Sequence, residues 1–535
     1  MTRVRRLAGP LALAGMVALA IVAGLAARKP PSGRKRRGQY KKASRDVITS
    51  LATGQVDQAV KKTEAYLGDH PKDAEYRYLL AVSYGVKGEH VKAAEQAKLA
   101  VANGLPAGRF LTGLEGLHKP WATGKAMLPA TRGASRLVHG PMVGSVTHTS
   151  ARIWVRTGCR TTVTVDLSPA GKSTTVQATE ATDHTAVIDL TGLKPDTEYA
   201  YTVKGEGITD FSPGKPKPTF RTYPAPGAKA RFAVVFGGGA GYTPWHEHMW
   251  TTIARRRPLA MLMLGDNVYI DRPTVPAAQQ HCYNRRYSRP EFRALVARTP
   301  VYAIYDDHDF GTNDCVPGAE IDTPEWKRPA WRLFRRNWVN PYYGGGEKQP
   351  GCWCHFRIAD VDFIMLDGRY YRANPGKPNA TMLGPVQKKW FFERLKASTG
   401  TFKVLCSPVP WAVGTKGRSK DTWDGFANER KEICDFLAAN RIEGVFLLSA
   451  DRHRSDIWKL DRKGAYPLYE FESSRLTNVH THGAVKGNLF SYNAKCSYGQ
   501  LVFDTTKPDP TVTYNIINID DQVINSFTLK RSACR

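Results

Sequence analysis

Acidic residues are scarce in this chain. Against 77 lysines and arginines it has only 48 aspartates and glutamates, and no acid precedes Asp46, by which point twelve basic residues have passed. The net charge of +29 suits an anionic partner or an anionic membrane face, and suits a merely soluble basic protein equally well. Charge therefore selects no function by itself. Long low-complexity tracts are also missing, and with 42% hydrophobic and 10% aromatic residues the chain is not a disordered one. At roughly 100–200 residues per domain, 535 residues imply about three to four folded units. Cys352-Trp-Cys354 has no second cysteine pair at zinc-finger spacing, so it reads as structural or disulfide-bonded. Nine cysteines exceed what a cytoplasmic enzyme needs, and their odd number leaves at least one thiol unpaired.

What is present begins with an apolar run, residues 7–27, behind Arg3, Arg5 and Arg6. It has about the 20 residues a membrane-spanning helix needs, and it ends in small residues as a long signal peptide does. Residues 1–44 are thus expected to be a signal peptide or membrane anchor with a basic segment. On either alternative the protein is exported, to the periplasm, the cell envelope or the outer side of the membrane. The cluster Arg28, Lys29 and Arg34 to Arg37 opposes simple outward translocation of an uncleaved anchor. Arg5-Arg6 fits a twin-arginine signal without a good flanking consensus.

From Arg45 the chain repeats: Gly54 to Gly88 and Ala59 to Ala93 are both 34-residue steps, with Tyr66 and Pro71 in the first copy. Residues 45–120 resemble tetratricopeptide helix pairs, which either bind a protein partner or cap the next domain. Between 137 and 222 the period changes to two, in ARIWVRT, TTVTVDLS and EYAYTVKG. LTGLKPDTEYAYTV resembles a fibronectin type III strand, turn and strand, in which a tyrosine anchors a corner of a small β-sandwich. Pro224, Pro226 and Gly227 read as a linker.

Residues 230–535 read as an α/β unit. Six short apolar runs, RFAVVFG, LAMLMLGD, PVYAIYDD, DFIMLDG, FKVLCSP and GVFLLSAD, end in Gly, Asp or Ser, as buried strands do when functional groups stand at their C-terminal ends. Those ends carry Gly265-Asp266-Asn267-Val268-Tyr269, then Asp306-Asp307-His308-Asp309 with Asn313, then Asp367-Gly368-Arg369, then Asp451-Arg452-His453. Oxygen and imidazole donors converging from successive strands suit a cluster of hard cations.

In order and spacing these motifs resemble the alkaline phosphatase D (PhoD-like) branch of the metallophosphoesterases, and an upstream β-sandwich fits that family too. The resemblance implies a multidomain chain whose catalytic α/β metallophosphatase-type sandwich follows a small β-sandwich and a short α-helical repeat region. It implies hydrolysis of phosphate mono- or diesters by a metal-activated hydroxide on two or more metal ions, Fe3+ and Ca2+ being the candidates. Carried over, Asp266 bridges two metals, Tyr269 is a phenolate on the harder one, Asn313 binds the second, and Asp451 and His453 complete the cluster. His308 protonates the leaving oxygen or steadies the transition state. Arg369 and Arg452, with Arg372 behind them, neutralise the substrate phosphate. No specific nucleic-acid partner is implied.

One ligand of the family is absent. Its first strand ends in Ser-Cys, whose thiolate helps hold iron, whereas this chain reads Phe236-Gly237-Gly238-Gly239-Ala240. The glycines allow the backbone a close approach to phosphate or metal, and His246, Glu247 or His248 is a candidate substitute ligand. The alternative is an iron site altered, weakened or lost, and the lost thiolate tilts the site from ferric iron towards divalent ions. The competing reading is a catalytically weakened PhoD-like binding protein acting through its repeats and β-sandwich. Against it stands retention of Asp266, Tyr269, Asn313, Asp451 and His453, buried polar groups that a decayed site has no physical reason to keep. A basic polyanion binder, for which only the charge speaks, is the third.

Overall fold

The computed structural model describes residues 34–114, 117, 131, 134–209 and 217–535. The apolar run at 7–27, with its expected role as signal or anchor, lies outside the described residues. Among the described residues no helix is long and apolar enough to cross a membrane.

Helix α1 (Arg34–Ala52) starts inside the basic segment and is followed by α2 (Val56–Asp69), α3 (Ala74–Lys87) and α4 (His90–Ala102). Their shared core is Val47, Ile48 and Leu51 against Ala59, Leu79 and Ala93; the repeat alanines are buried where helices meet, whereas the repeat glycines Gly54 and Gly88 are exposed. Asp73 caps α3 by accepting from the backbone N–H groups of Glu75 and Tyr76.

Strands β1 (Leu137–Gly144), β2 (Ser150–Thr157), β3 (Thr161–Ser168), β4 (Lys172–Ala178), β5 (Thr185–Thr191), β6 (Glu198–Lys204) and β7 (Thr219–Arg221) form two antiparallel sheets, ordered β1-β2-β5 and β4-β3-β6-β7. Alternation along β3 turns Val163, Val165 and Leu167 inward onto Ile153 and Ile188. The backbone N–H of Lys194 donates to Tyr199 Oη at 2.9 Å, pinning the corner before β6.

The remaining strands are β8 (Arg231–Gly237), β9 (Ala260–Leu264), β10 (Val301–Ile304), β11 (Cys354–Ile358), β12 (Val361–Met365), β13 (Phe402–Cys406), β14 (Val445–Ser449), β15 (Ser455–Arg462), β16 (Ala465–Ser473), β17 (Phe490–Tyr492), β18 (Ser497–Asp504), β19 (Thr511–Asn518) and β20 (Val523–Lys530). They make a six-stranded sheet, β10-β9-β8-β18-β19-β20, and a seven-stranded one, β11-β12-β13-β14-β16-β15-β17. Every one of the six apolar runs is a strand, and five of them, β9, β10, β12, β13 and β14, are buried at each residue. The sheets meet through Phe363, Phe446 and Phe503 and through the Phe471–Tyr514 stack at 4.6 Å. Pairing is parallel for β8 with β9 with β10 and for β12 through β14 to β16, so both sheets deliver C-terminal strand ends to the same edge.

Helix α5 (Pro276–Tyr287) ties the parts together. The α1 residue Ser44 is hydrogen-bonded by Arg285, and the β2 residue Arg156 donates to Asn284 at 2.8 Å. All nine cysteines are free thiols, Cys352 and Cys354 among them, so the expectation of disulfides is corrected. The CxC cysteines are buried beside apolar and aromatic side chains, where a thiol behaves as a small hydrophobe.

Candidate metal centre

Backbone geometry marks the strand ends. Asp266, Tyr269, Asp271, Asp451 and His453 all have positive φ, between 49° and 72°, a conformation that costs a non-glycine residue energy and clusters at functional sites. The turn after β9 is held by Asp309, whose Oδ2 accepts from Asn267 N at 3.0 Å and whose Oδ1 accepts from Val268 N at 2.9 Å. This fixes Asp266 at the floor of the site and turns Tyr269 towards His453.

Asp266 is buried, and its Oδ1 receives no hydrogen bond. Its Oδ2 is 3.7 Å from His453 Nε2, which shares a 2.7 Å hydrogen bond with Tyr269 Oη. Asn478 Nδ2 donates to that same phenol oxygen at 2.6 Å. Ligating atoms of Asp266, Asp307 and His308 all lie within 4.8 Å of one another. Burial pushes the Asp266 carboxyl far above the ordinary carboxylate range, and the neighbouring charges of Asp307, Asp306 and Asp309 add to the rise. Asp306 is raised to about 7 by burial, although Arg369 pulls it down. Burying several carboxylates without matching cations costs several kcal/mol per charge, and an orphaned oxygen such as Asp266 Oδ1 is rare in a finished structure. The residues therefore fit a bound cation, and their oxygen and imidazole donors suit a hard or borderline one.

His308 stacks on Tyr269 at 4.5 Å and bonds through Nδ1 to Asp271 Oδ1. Burial would depress its pKa, but Asp307, Asp266 and Asp271 outweigh this and raise it to about 10. Asp271 in turn accepts from Arg45 Nη1 of α1 at 2.5 Å, and Arg45 also donates to Tyr269 O at 3.2 Å.

Above this floor opens a cavity of about 550 Å3. Tyr269, Asn313, Asp451 and His453 line it, as do His308 and Arg452; Asp266 lies behind Tyr269 and His453. Arg369 and Arg372 are not on the wall. Both are fully buried, Arg369 with Nε on Asp306 and Nη1 on Asp421 at 2.6 Å, and Arg372 on Asp421 at 2.5 Å. Arg369 props Asp306 from behind while Arg372 holds Asp421, and the expected contact of Arg369 with substrate is not what this geometry provides. Nor do the expected substitutes for the missing cysteine reach the cavity. His246 Nδ1 is 3.0 Å from Thr477 O, Glu247 is paired with Arg286 at 2.5 Å, and His248 is exposed at the start of a helix.

Several lining residues escaped the sequence reading. Lys416 bonds Asp314 at 2.8 Å and Asp421 at 2.7 Å and comes within 3.4 Å of Asp451 Oδ2. Lys42 of α1, His480 and His482 complete the rim. The pair His480 and His482 had a readable signal, two histidines one residue apart in a polar loop; Lys42, Asp271 and Lys416 had none.

A family model described as PhoD-like phosphatase matches residues 232–496, and one described as a domain of unknown function (DUF7800) matches residues 134–222. Alkaline phosphatase D of Bacillus subtilis (strain 168) is 25% identical over 320 residues, 51% of this chain and 54% of that protein. The chain thus spans about half the length of this curated relative. Among solved structures, one of PhoD superposes with a TM-score of 0.58 at 19% identity, covering 74% of this chain and 92% of its own. Purple acid phosphatase PPD1 from yellow lupin (Lupinus luteus) seeds gives 0.53 at 12% identity, covering 74% and 75%. Both likenesses establish the fold. Taken with the match over residues 232–496 and the carboxylate and histidine cluster at its strand ends, they show that this chain carries a PhoD-like phosphatase domain.

Proposed function

We propose that the protein is a metal-dependent phosphoesterase, hydrolysing phosphate monoesters or diesters outside the cytoplasm. The observation that carries this reading is the buried Asp266 carboxylate, with an oxygen lacking any donor, facing His453 and Tyr269 under a cavity whose lining includes Lys42, Lys416 and Arg452. Asp266, Tyr269, Asn313, Asp451 and His453 would together hold the cations, with Asp266 the carboxylate common to them. Bound there, the metals supply Lewis acidity towards phosphoryl oxygens and a nucleophile at neutral pH.

The chain's own groups do the rest. Lys416, Lys42 and Arg452 set a positive wall for the substrate phosphate; Lys416 stays charged because Asp451 and Asp421 outweigh its burial. With Nδ1 held by Asp271, His308 presents Nε2 to the cavity, and this is the atom that would carry a proton to the leaving oxygen. Arg369 acts as a positioning residue through Asp306. Export rests on residues 7–27. The helical repeats and the fibronectin-like sandwich are proposed as scaffold, since both are packed against the catalytic unit.

Purified protein assayed on a chromogenic phosphomonoester and diester, with metal analysis, tests the reading. Replacing Asp266 by Ala should strip metal and abolish turnover. A D266A variant that keeps its metal and a near-normal rate would refute the assignment.

A further inference from the structure

The turn after β8 has no room for a side-chain ligand at Gly238 or Gly239. A side chain at Gly239, where φ is +64°, would place Cβ 2.0 Å from Ser474 O, and one at Gly238 would meet Ala450 Cβ at 2.7 Å and Gly265 O at 3.0 Å. No cysteine fits in either place. Beside His453, however, stand two imidazoles from the loop after β16. Ligating nitrogens of His453, His480 and His482 lie within 4.8 Å of one another. His480 meets His482 edge-on at 4.5 Å and 87°, and His453 at 5.2 Å and 89°.

The loop that bears them is tied down. Thr481 Oγ1 donates to His453 O at 2.9 Å, the His480 N–H donates to Asn478 Oδ1 at 3.2 Å, and Asn493 Nδ2 donates to His482 O at 2.9 Å. Asn478 also holds the Tyr269 phenol, so the loop and the metal floor share one anchor.

We propose that His453, His480 and His482 form a site for a borderline divalent cation of the zinc class, adjoining Tyr269 and Asp266 and making good the donor that the glycine turn excludes. The proposal rests on the metallohydrolase reading of the Asp266 cluster and specifies which metal class it takes. Three nitrogens at most 4.8 Å apart are at most about 2.8 Å from a common centre, within about 0.7 Å of a zinc–imidazole bond. Small ring rotations close that gap. Imidazole donors favour zinc, cobalt and nickel over calcium, and no thiolate remains to favour ferric iron.

The test uses the full chain, stripped of metal and titrated separately with Zn2+ and Co2+, in the wild type, in a His480→Gln/His482→Gln variant and in D266N. The wild type should bind Zn2+, and its Co2+ form should show the intense visible ligand-field absorption of a low-coordinate, nitrogen-rich site. The double histidine variant should bind Zn2+ at least about tenfold more weakly and lose that absorption. Unchanged affinity and spectrum in it, with D266N losing metal, overturns this inference and leaves the phosphoesterase reading standing. Failure of the wild type to bind either ion overturns this inference and leaves the phosphoesterase reading to Fe3+ and Ca2+. A variant whose only defect is a raised KM shows the histidines contacting substrate phosphate, which also overturns the proposal. Should the double variant misfold by circular dichroism, His480→Gln alone, at an exposed position, carries the same comparison.

Discussion

Asp266, Tyr269 and His453 have backbone conformations that few residues tolerate, in a place where hydrogen bonds from the Asn267 and Val268 N–H groups to Asp309, and from Asn478 to Tyr269, leave them little freedom. The glycine turn opposite is as constrained. Gly239→Cys, which would restore the thiolate at this strand end, should lower stability by at least ~1–3 kcal/mol from its backbone conformation alone, before the clash with Ser474 O. Thermal denaturation measures it, and a stable iron-binding variant would contradict the geometry. Asp271 makes a second residue-scale prediction. Because it holds His308 Nδ1, Asp271→Asn should lower kcat by up to about 100-fold with little change in KM, as expected when a general acid loses its orienting partner. A proportional rise in KM instead would assign Asp271 to substrate binding.

Elements decide which of these residues can meet. Helix α1 lies more than two hundred residues from Asp271 in sequence, yet its Arg45 makes a partly buried ion pair with it. Removing one partner of a fully buried pair costs about 3–5 kcal/mol and of a partly buried one less, so Arg45→Ala should lower the denaturation midpoint and reduce kcat along with it. Normal kcat in a destabilised R45A would confine α1 to a structural role. The strand pair β11 and β12 gives a pH dependence remote from the metal floor. Burial alone would raise the Asp362 carboxyl, but hydrogen bonds from His355 and Ser398 and the charge of Arg357 hold it down, to about 2. Its folded pKa is below the unfolded value of about 3.9, so the contribution to stability is complete above that value and is lost as pH falls towards 2. Denaturant titrations of Asp362→Asn should show less loss of stability over that window than the wild type does.

At the scale of the whole molecule, the charge of +29 is the field an anionic substrate meets before it reaches a cavity where Lys42, Lys416 and Arg452 stand among Asp271, Asp314 and Asp451. A positive field raises the local concentration of an anionic substrate and is screened by salt, so kcat/KM for a phosphate ester should fall as ionic strength rises. Salt-independent kinetics would mean that the excess basic charge lies away from the approach to the site.

The strands and their ends were legible in the sequence, because buried parallel strands are short apolar runs and the residues after them must turn. Asp266, Tyr269, Asn313, Asp451 and His453 were legible for the same reason, each next to a strand end or in the loop after it. Where the cysteine was missing was equally plain; what replaces it was not, because His246, Glu247 and His248 are near in sequence and His480 and His482 near only in space. The role of Arg369 was misjudged from its motif, since only packing shows that Asp306 and Asp421 enclose it. Local order and residue type thus determined the catalytic scaffold and its donors. The tertiary structure alone decided that α1 reaches His308 through Arg45 and Asp271, and that the loop after β16 brings two imidazoles to His453, because contacts between distant segments are set by which surfaces must be buried together and not by spacing along the chain.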